Sequence, residues 1–305
     1  MDGLASTPGV QTGAVREAQP DFVIIGAMKS ATSTLHEQLA AQPGFHMSDP
    51  KEPNFFSDED VFAKGLDWYR GLFAEAGSGD IRGESSTHYT KLPTHPKAAE
   101  RLHAFAPDAK LIYVMRHPID RLVSHYIHEW SQAVIPRKMP IDDAIDAFPE
   151  MVEYGKYAKQ LEPYLQRYGK DRILPMFFER ILTASQDELE RVCRFLGYPG
   201  TPKWAELDAS NVSNQRMRRN WLLDRVVESP TLQLLRRSLL PASIRSRARQ
   251  VFVMRQRPEL SDARRQALSE VFDRDLADLS GLLGTQLTCA NFKETVRRQP
   301  LDWAA

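Results

Sequence analysis

Three short apolar runs, each next to a helical pattern, constrain the fold of this chain most. The runs are DFVIIG (21–26), KLIYVMR (110–116) and DRILPMFF (171–178). Each has the length and unbroken hydrophobicity of a strand buried on both faces. Helical patterns follow the first two runs and flank the third at 156–168 and 185–196. This alternation predicts an α/β fold, a three-layer α/β/α arrangement with a central, mainly parallel sheet.

The rest of the chain predicts one large domain. We expect residues 1–20 to be a disordered tail without a signal peptide, and 21–305 to be a single domain. Its core would span 21–220, and a helical C-terminal portion would span 221–305, with a clear helical pattern from Ser261 to Leu283. There is no run of about 18 apolar residues, so we expect no membrane span. The chain has only two cysteines, Cys193 and Cys289, far apart, which argues against a disulfide framework and favours the cytoplasm.

The ends of the predicted strands are where a ligand would bind. Right-handed crossovers place the carboxyl ends of parallel strands on one edge of a sheet, and ligands bind there. DIRGES (80–85) reads as a further short strand. The segments to inspect are therefore 26–34, 84–89, 116–124 and 178–180.

The turn GAMKSATST (26–34) carries the parts of an anion site. It departs from the Walker A pattern, because Lys29 lies three residues after Gly26 and no glycine stands directly before the lysine. A strand still leads through a turn into a helix N-terminus, whose N–H groups attract anions. Lys29 adds a full charge, and neighbouring hydroxyl groups add donors. The alternative is an ordinary strand-to-helix turn capped by Ser or Thr.

A second anion site is indicated at the next strand end. Arg116 ends the strand 110–116, and Ser124 follows two helical turns later. A guanidinium and a hydroxyl near a helix start suit a phosphate. The alternative is an ion pair between Arg116 and Asp120. Two anion sites on adjacent strand ends suggest a nucleotide with phosphates at both ends.

Five motifs in a fixed order then point to a family. They are KSATS (29–33) after the first strand, KEPNFFS (51–57), RGESSTHY (82–89), RHPIDRLVSHY (116–126) and YLQRYGKDRILPMFFERI (164–181). Over about residues 20–220 the chain resembles the PAPS-dependent sulfotransferases, and most of all the group with the heparan sulfate N- and O-sulfotransferases and many bacterial relatives. The resemblance implies a P-loop-like fold, PAPS (3′-phosphoadenosine-5′-phosphosulfate) as sulfuryl donor and 3′,5′-ADP as product.

The resemblance also implies roles for particular residues. The first turn would hold the 5′-phosphosulfate through Lys29, Ser30, Ala31, Thr32, Ser33 and Thr34. Arg116 and Ser124 would hold the 3′-phosphate, and Glu84 would be the base that deprotonates the acceptor. His117 departs from the family, which more often has Asn there, and we give it no chemical role.

Further residues are assigned to nucleotide and acceptor. The segment ASNVSNQRMRRNW (209–221) resembles the family's loop over the nucleotide, with Arg216 as the first candidate and Arg218 and Arg219 behind it. Lys51, Glu84 and His88 are the residues expected at the acceptor. The alternatives are a solvated loop lysine for Lys51, a surface glutamate paired with Arg82 for Glu84, and an exposed basic loop for 209–221.

The chemistry fits a transfer without a metal. Lys29 and the helix N–H groups can stabilise the charge on the leaving phosphate, and the sequence has no persuasive metal-binding motif. We expect a carbohydrate or glycoconjugate acceptor; a secondary metabolite or a lipid-linked acceptor is the alternative. From other classes, an ATP-dependent small-molecule kinase and a non-catalytic nucleotide-binding module stay open.

An arginine-rich stretch at 231–257 has no acidic residue. It could attract an anionic acceptor or touch an anionic membrane surface. The alternative is a pair of ordinary helices whose arginines pair with acids elsewhere. We expect no nucleic-acid partner, because no aromatic interleaving or recognised nucleic-acid-binding fold accompanies the arginines.

Overall fold

The computed structural model describes residues 18–206, 254 and 256–304. Its sheet has five strands, β1 (Phe22–Gly26), β2 (Phe45–Met47), β3 (Ile81–Ser85), β4 (Lys110–Met115) and β5 (Ile173–Phe177), in the order β2-β3-β1-β4-β5. All neighbouring strands pair in parallel. The predicted α/β fold with a mainly parallel sheet is confirmed. β2 was not anticipated, since three residues carry too little pattern.

The helices connect the strands and cover the sheet. Between β1 and β4 they are α1 (Thr32–Ala40), α2 (Glu59–Phe62), α3 (Leu66–Gly71) and α4 (Ala98–Phe105), with a 3₁₀ turn at Thr87–Thr90. Between β4 and β5 they are α5 (Pro118–Ser131), α6 (Ile141–Ala147), α7 (Glu150–Glu153) and α8 (Tyr157–Tyr168), with a 3₁₀ turn at Lys170–Arg172. After β5 they are α9 (Phe178–Thr183), α10 (Ser185–Leu196), α11 (Asp262–Leu283) and α12 (Phe292–Arg298).

Alternating strand residues build two cores, one on each face of the sheet. Val23 and Ile25 of β1 belong to the larger core, whereas Phe22 and Ile24 belong to the smaller one. The period of two follows from the pleat of the strand. Leucines of α1 and α10 fill the smaller core, and α4, α5, α8 and α11 contribute to the larger one. The sheet is therefore sandwiched between two helical layers.

The long helix α11 belongs to the larger core. Its start is capped, since the Ser261 hydroxyl accepts a hydrogen bond from the Arg264 N–H at 3.2 Å. The Asp275 carboxylate in turn accepts hydrogen bonds from the N–H groups of Ala158 (3.0 Å) and Lys159 (3.1 Å) at the start of α8. The helix predicted from Ser261 to Leu283 is confirmed and packs on the core.

Several expectations fall outside the described residues. These are the tail at 1–17, the loop arginines Arg216, Arg218 and Arg219, and the arginine-rich stretch except 254, 256 and 257. Both cysteines are free and buried.

Across the described ranges, no helix combines the length and the apolar character that crossing a membrane requires.

Candidate active site

The turn after β1 has a backbone that few residue types could form. Gly26 has a φ of 148°, and a Cβ there would lie 2.0 Å from the Thr90 hydroxyl oxygen, so only glycine fits. Lys29 (φ 70°) and Ala31 (φ 68°) adopt left-handed conformations although neither is glycine. Each costs roughly 1–2 kcal/mol, and such conformations cluster at ligand sites.

The start of α1 leaves its hydrogen-bond donors available. The N-cap residue is Ala31, and α1 has no side-chain cap among the described residues. The capped-turn alternative is therefore not what the structure has. The hydroxyl of Ser30 is buried without a hydrogen-bond partner in the described part of the chain. Free N–H groups, an unpartnered hydroxyl and Lys29 together form a cradle for an anion.

Arg116 reaches this cradle from the end of β4. Its Nη1 donates a hydrogen bond to the Lys29 carbonyl oxygen at 3.1 Å, and its guanidinium carbon lies 4.3 Å from the centre of the Phe178 ring. Burial and the Arg116 charge lower the pKa of Lys29 to about 8. The two cations thus share one partly buried site, where an anion would relieve their repulsion.

The alternative ion pair of Arg116 with Asp120 is not formed. The Asp120 carboxylate pairs instead with Lys293 at 2.5 Å and with Arg257 at 3.5 Å. Arg116 Nε has no hydrogen-bond partner within the described ranges. Ser124 lies on α5 and is half-buried. Within the described ranges, Arg116 therefore keeps its Nε available for a ligand.

The KEPNFFS segment is fixed against the end of β3. The Glu52 N–H donates to the Ser85 carbonyl oxygen at 2.9 Å, and the Asn54 N–H donates to the Ser86 hydroxyl at 3.0 Å. Since β3 pairs with β1, these bonds bring Glu52 to the sheet edge that holds the anion cradle. Its carboxylate accepts from Lys51 Nζ at 2.8 Å and from the Thr87 hydroxyl at 3.3 Å.

The charge around Glu52 keeps its carboxylate ionised. Burial acts to raise the pKa of Glu52, but Lys51, Lys91 and His88 outweigh it, so the pKa lies below its ordinary value. Glu52 and Glu129 both act to raise the pKa of Lys29, so both carboxylates lie near its ammonium group. The cradle therefore has carboxylates within electrostatic reach and three lysines around them.

Glu84 occupies a different environment from the one expected. Its side chain is 0% exposed and points into the larger core, beside the hydroxyl groups of Tyr69 and Tyr89. Burial raises the pKa of Glu84 to about 8, against the effect of these hydroxyls. A carboxyl that is protonated near neutral pH and sealed from solvent cannot accept a proton from an acceptor in this conformation. The pairing of Glu84 with Arg82 as a surface glutamate is also not observed.

The other expected residues lie near the cradle, with different partners. Lys51 contacts Glu52, and His88 Nδ1 lies 2.9 Å from Asp58 Oδ1. His117, the departure from the family pattern, has its Nε2 2.9 Å from the Cys289 carbonyl oxygen. Its Nδ1 accepts from the Asp120 N–H, which makes it the N-cap of α5. It therefore has a structural role.

Three residues of the site were given no role from the sequence. Glu52 carried a signal, because it follows Lys51 in one of the five motifs, but nothing in that motif says where its carboxylate points. No sequence pattern marks Lys91 or Glu129 as a site residue, since they reach the site only through the packing of the 3₁₀ turn and α5.

A family model and several known proteins are similar to this chain. The family model described as "Sulfotransferase domain" matches residues 19–280. The chain is 33% identical over 193 residues to heparan sulfate glucosamine 3-O-sulfotransferase 3B1 of Mus musculus, covering 61% of this chain and 48% of that protein. It is 32% identical over 204 residues to heparan sulfate glucosamine 3-O-sulfotransferase 6 of Homo sapiens, covering 64% and 55%. The chain thus spans about half the length of these relatives.

A solved structure shares the fold. The crystal structure of a sulfotransferase from Alicyclobacillus acidocaldarius superposes with a TM-score of 0.64 at 21% identity, covering 92% of this chain and 99% of that one.

Proposed function

The chain belongs to the sulfotransferase family, and we propose that it transfers a sulfuryl group from PAPS to a hydroxyl or amine of a carbohydrate or glycoconjugate. The observation that carries the proposal is the cradle after β1. There Lys29, the start of α1 and Arg116 meet at one end of the sheet with the Ser30 hydroxyl, which has no hydrogen-bond partner among the described residues.

The donor would lie across this cradle. Its 5′-phosphosulfate would bind the turn from Lys29 to Thr34, where N–H groups and the ammonium group are available. Its 3′-phosphate would bind Arg116, whose planar guanidinium is suited to phosphate, with Ser124 on α5 beside it. Arg216 and Arg218 are the proposed further contacts. PAPS carries both a 5′-phosphosulfate and a 3′-phosphate, so it would occupy both parts of the site.

We assign the proton transfer to Glu52 instead of Glu84. The acceptor oxygen or nitrogen would attack the sulfur, while the bond from sulfur to the bridging phosphate oxygen breaks. The electron pair stays on the 5′-phosphate of 3′,5′-ADP, next to Lys29. The acceptor proton passes to the Glu52 carboxylate, which is ionised, 32% exposed and located beside the cradle. The step uses no metal.

A carbohydrate acceptor is supported from two directions. The relatives named above are enzymes of heparan sulfate glucosamine sulfation. In this chain, Lys51 and Lys91 flank Glu52 and give the acceptor side positive charge. A saccharide that carries carboxylate or sulfate groups would be attracted there.

Calorimetric titration with 3′,5′-ADP, 5′-AMP and ATP with Mg²⁺ tests the donor site. We expect 3′,5′-ADP to bind more tightly than the other two, and Arg116→Ala to weaken it roughly tenfold to a hundredfold, because hydrogen bonds to a charged group are lost. Arg172→Ala is the matched control, since Arg172 pairs with Asp108 on the surface. Binding of ATP with Mg²⁺ but not of 3′,5′-ADP would refute the sulfotransferase proposal.

A further inference from the structure

Asp58, His88 and His95 converge beside the candidate active site without a role in the chemistry proposed there. They line a cavity of about 630 Å³ between the start of α2 and the segment from 88 to 97. One ligand atom from each lies within 4.8 Å of the other two. We propose that these three residues bind a divalent transition-metal ion, with Zn²⁺ as the best match to two imidazoles and one carboxylate.

The distances suit a metal site. His88 Nδ1 lies 2.9 Å from Asp58 Oδ1, and His95 Nδ1 lies 3.7 Å from the same oxygen. In tetrahedral zinc sites the metal lies about 2.0–2.2 Å from nitrogen and oxygen ligands, which places ligand atoms roughly 3.4 Å apart. The two distances bracket that value. Small side-chain rotations would complete the triangle and leave a fourth position facing the cavity.

An ordinary histidine–aspartate pair explains only part of this arrangement. The two imidazole rings stack at 4.8 Å between centres with an angle of 14° between their planes, and both direct Nδ1 to one carboxylate oxygen. That oxygen also accepts a hydrogen bond from the Ser57 hydroxyl at 2.9 Å. A single pair does not include the second ring, which stacks on His88 and has its Nδ1 3.2 Å from the Ser57 carbonyl oxygen. A metal would replace that last contact.

The charge around the cavity favours a cation. Asp58 supplies one of the three ligand atoms and a carboxylate group. Glu59 and Asp60 line the same cavity, but Glu59 pairs with Lys97 at 3.2 Å and with Arg101 at 2.8 Å, so the further negative charge comes from Asp60.

Few other groups in this chain could compete for the ion. All eight histidines and both cysteines lie in the described ranges, where Asp58, His88 and His95 form the one group of three potential ligands. Burial raises the pKa of Cys193 to about 11 and that of Cys289 to about 12, so neither thiol offers a thiolate at neutral pH. The sequence did not reveal the cluster, because its members are spread from 58 to 95.

The chelator-treated full chain, titrated with Zn²⁺ by calorimetry and with Co²⁺ by visible absorption, tests the site. We expect one Zn²⁺ per chain, and Co²⁺ absorption bands typical of mixed nitrogen and oxygen ligands. His95→Asn and Asp58→Asn should each weaken binding by more than about tenfold. His103→Asn, which removes a histidine that packs on Tyr168, should leave binding unchanged.

Each outcome decides the proposal. Absence of Zn²⁺ binding to the wild type overturns it, and so does equal binding by the wild type and His95→Asn. Equal weakening by His103→Asn would show surface binding only, which overturns it too. Melting temperatures without metal check that the variants fold. None of these measurements involves a sulfuryl donor or acceptor, so they are independent of the proposed function.

Occupancy of the site would reduce sulfuryl transfer, an effect that rests on the proposed function. His88 follows Thr87, whose hydroxyl donates to Glu52 at 3.3 Å. A dication bound to His88 would stabilise the ionised Glu52 carboxylate and weaken it as a base. Zn²⁺ should therefore inhibit the wild type at concentrations that match its calorimetric affinity, and should inhibit His95→Asn only at concentrations at least about tenfold higher. Equal inhibition of both proteins would refute this coupling.

Discussion

Glu84 lies near the end of β3, Glu52 lies in a segment bonded to that end, and the two side chains have opposite environments. The Glu52 N–H bonds to the carbonyl oxygen of Ser85, the residue after Glu84. Yet the Glu52 carboxylate lies among lysines and is 32% exposed, whereas the Glu84 carboxyl is 0% exposed beside two tyrosines. The pKa of the first is lowered and that of the second is raised to about 8. The direction in which a side chain leaves the backbone therefore decides whether a carboxyl group can serve as a base.

The largest expected effect is on turnover, which should differ between variants of Glu52 and variants of Glu84. Glu52→Gln should lower turnover by about 10²–10⁴-fold, because a positioned general base contributes that much. Glu84→Gln keeps the shape and the neutral state of the buried group, so its turnover should fall by less than about tenfold. Sulfate transfer from PAPS to a heparan-type oligosaccharide, followed by release of 3′,5′-ADP, measures both. The reverse ranking would return the role of base to Glu84.

The next effect concerns the cradle itself. Lys29→Ala should lower turnover by about 10²–10³-fold, because the charge on the leaving phosphate loses its nearest cation. Lys138→Ala removes an exposed lysine and is the matched control. Near-full turnover of Lys29→Ala would show that the helix N-terminus and Arg116 stabilise the leaving group without it.

A smaller effect is expected in the pH dependence of kcat/KM and kcat. The pKa of Lys29 is about 8, lowered by burial and by Arg116. As pH rises above 8, Lys29 loses its proton, so kcat/KM should fall by about tenfold per pH unit. The fall in kcat should begin at a higher pH than the fall in kcat/KM, because the negative charge of the bound donor raises the pKa of Lys29. Lys29→Arg should abolish the fall in activity at alkaline pH. If the fall remained in this variant, a group other than Lys29 would cause it.

The comparison also shows what the sequence can and cannot predict. The strands at 22–26, 110–115 and 173–177 were predictable, because a buried parallel strand needs an unbroken apolar run. The placement of Lys29 and Arg116 at strand ends was predictable as well, since Arg116 directly follows β4 and Lys29 lies three residues after the end of β1. The position of Glu52 was not, because it depends on hydrogen bonds to Ser85, which lies 33 residues further along the chain. A sequence motif records the residue type, and tertiary contacts determine where its side chain points.

The smallest expected effect is on the free energy of unfolding, whose pH dependence reports the protonation of Glu84. The folded state holds the Glu84 proton up to pH about 8, whereas the unfolded chain releases it near the ordinary pKa of 4.5. Between these values the unfolded state binds fewer protons, so the free energy of unfolding falls as pH rises. Glu84→Gln lacks this linkage. The stability of the wild type relative to this variant should fall by roughly 1 kcal/mol per pH unit from pH 5 to 8 and level off above. Denaturant unfolding at each pH measures the difference. A constant difference would mean that the Glu84 carboxyl is ionised inside the folded protein, and the distinction between the two glutamates would then rest on exposure alone.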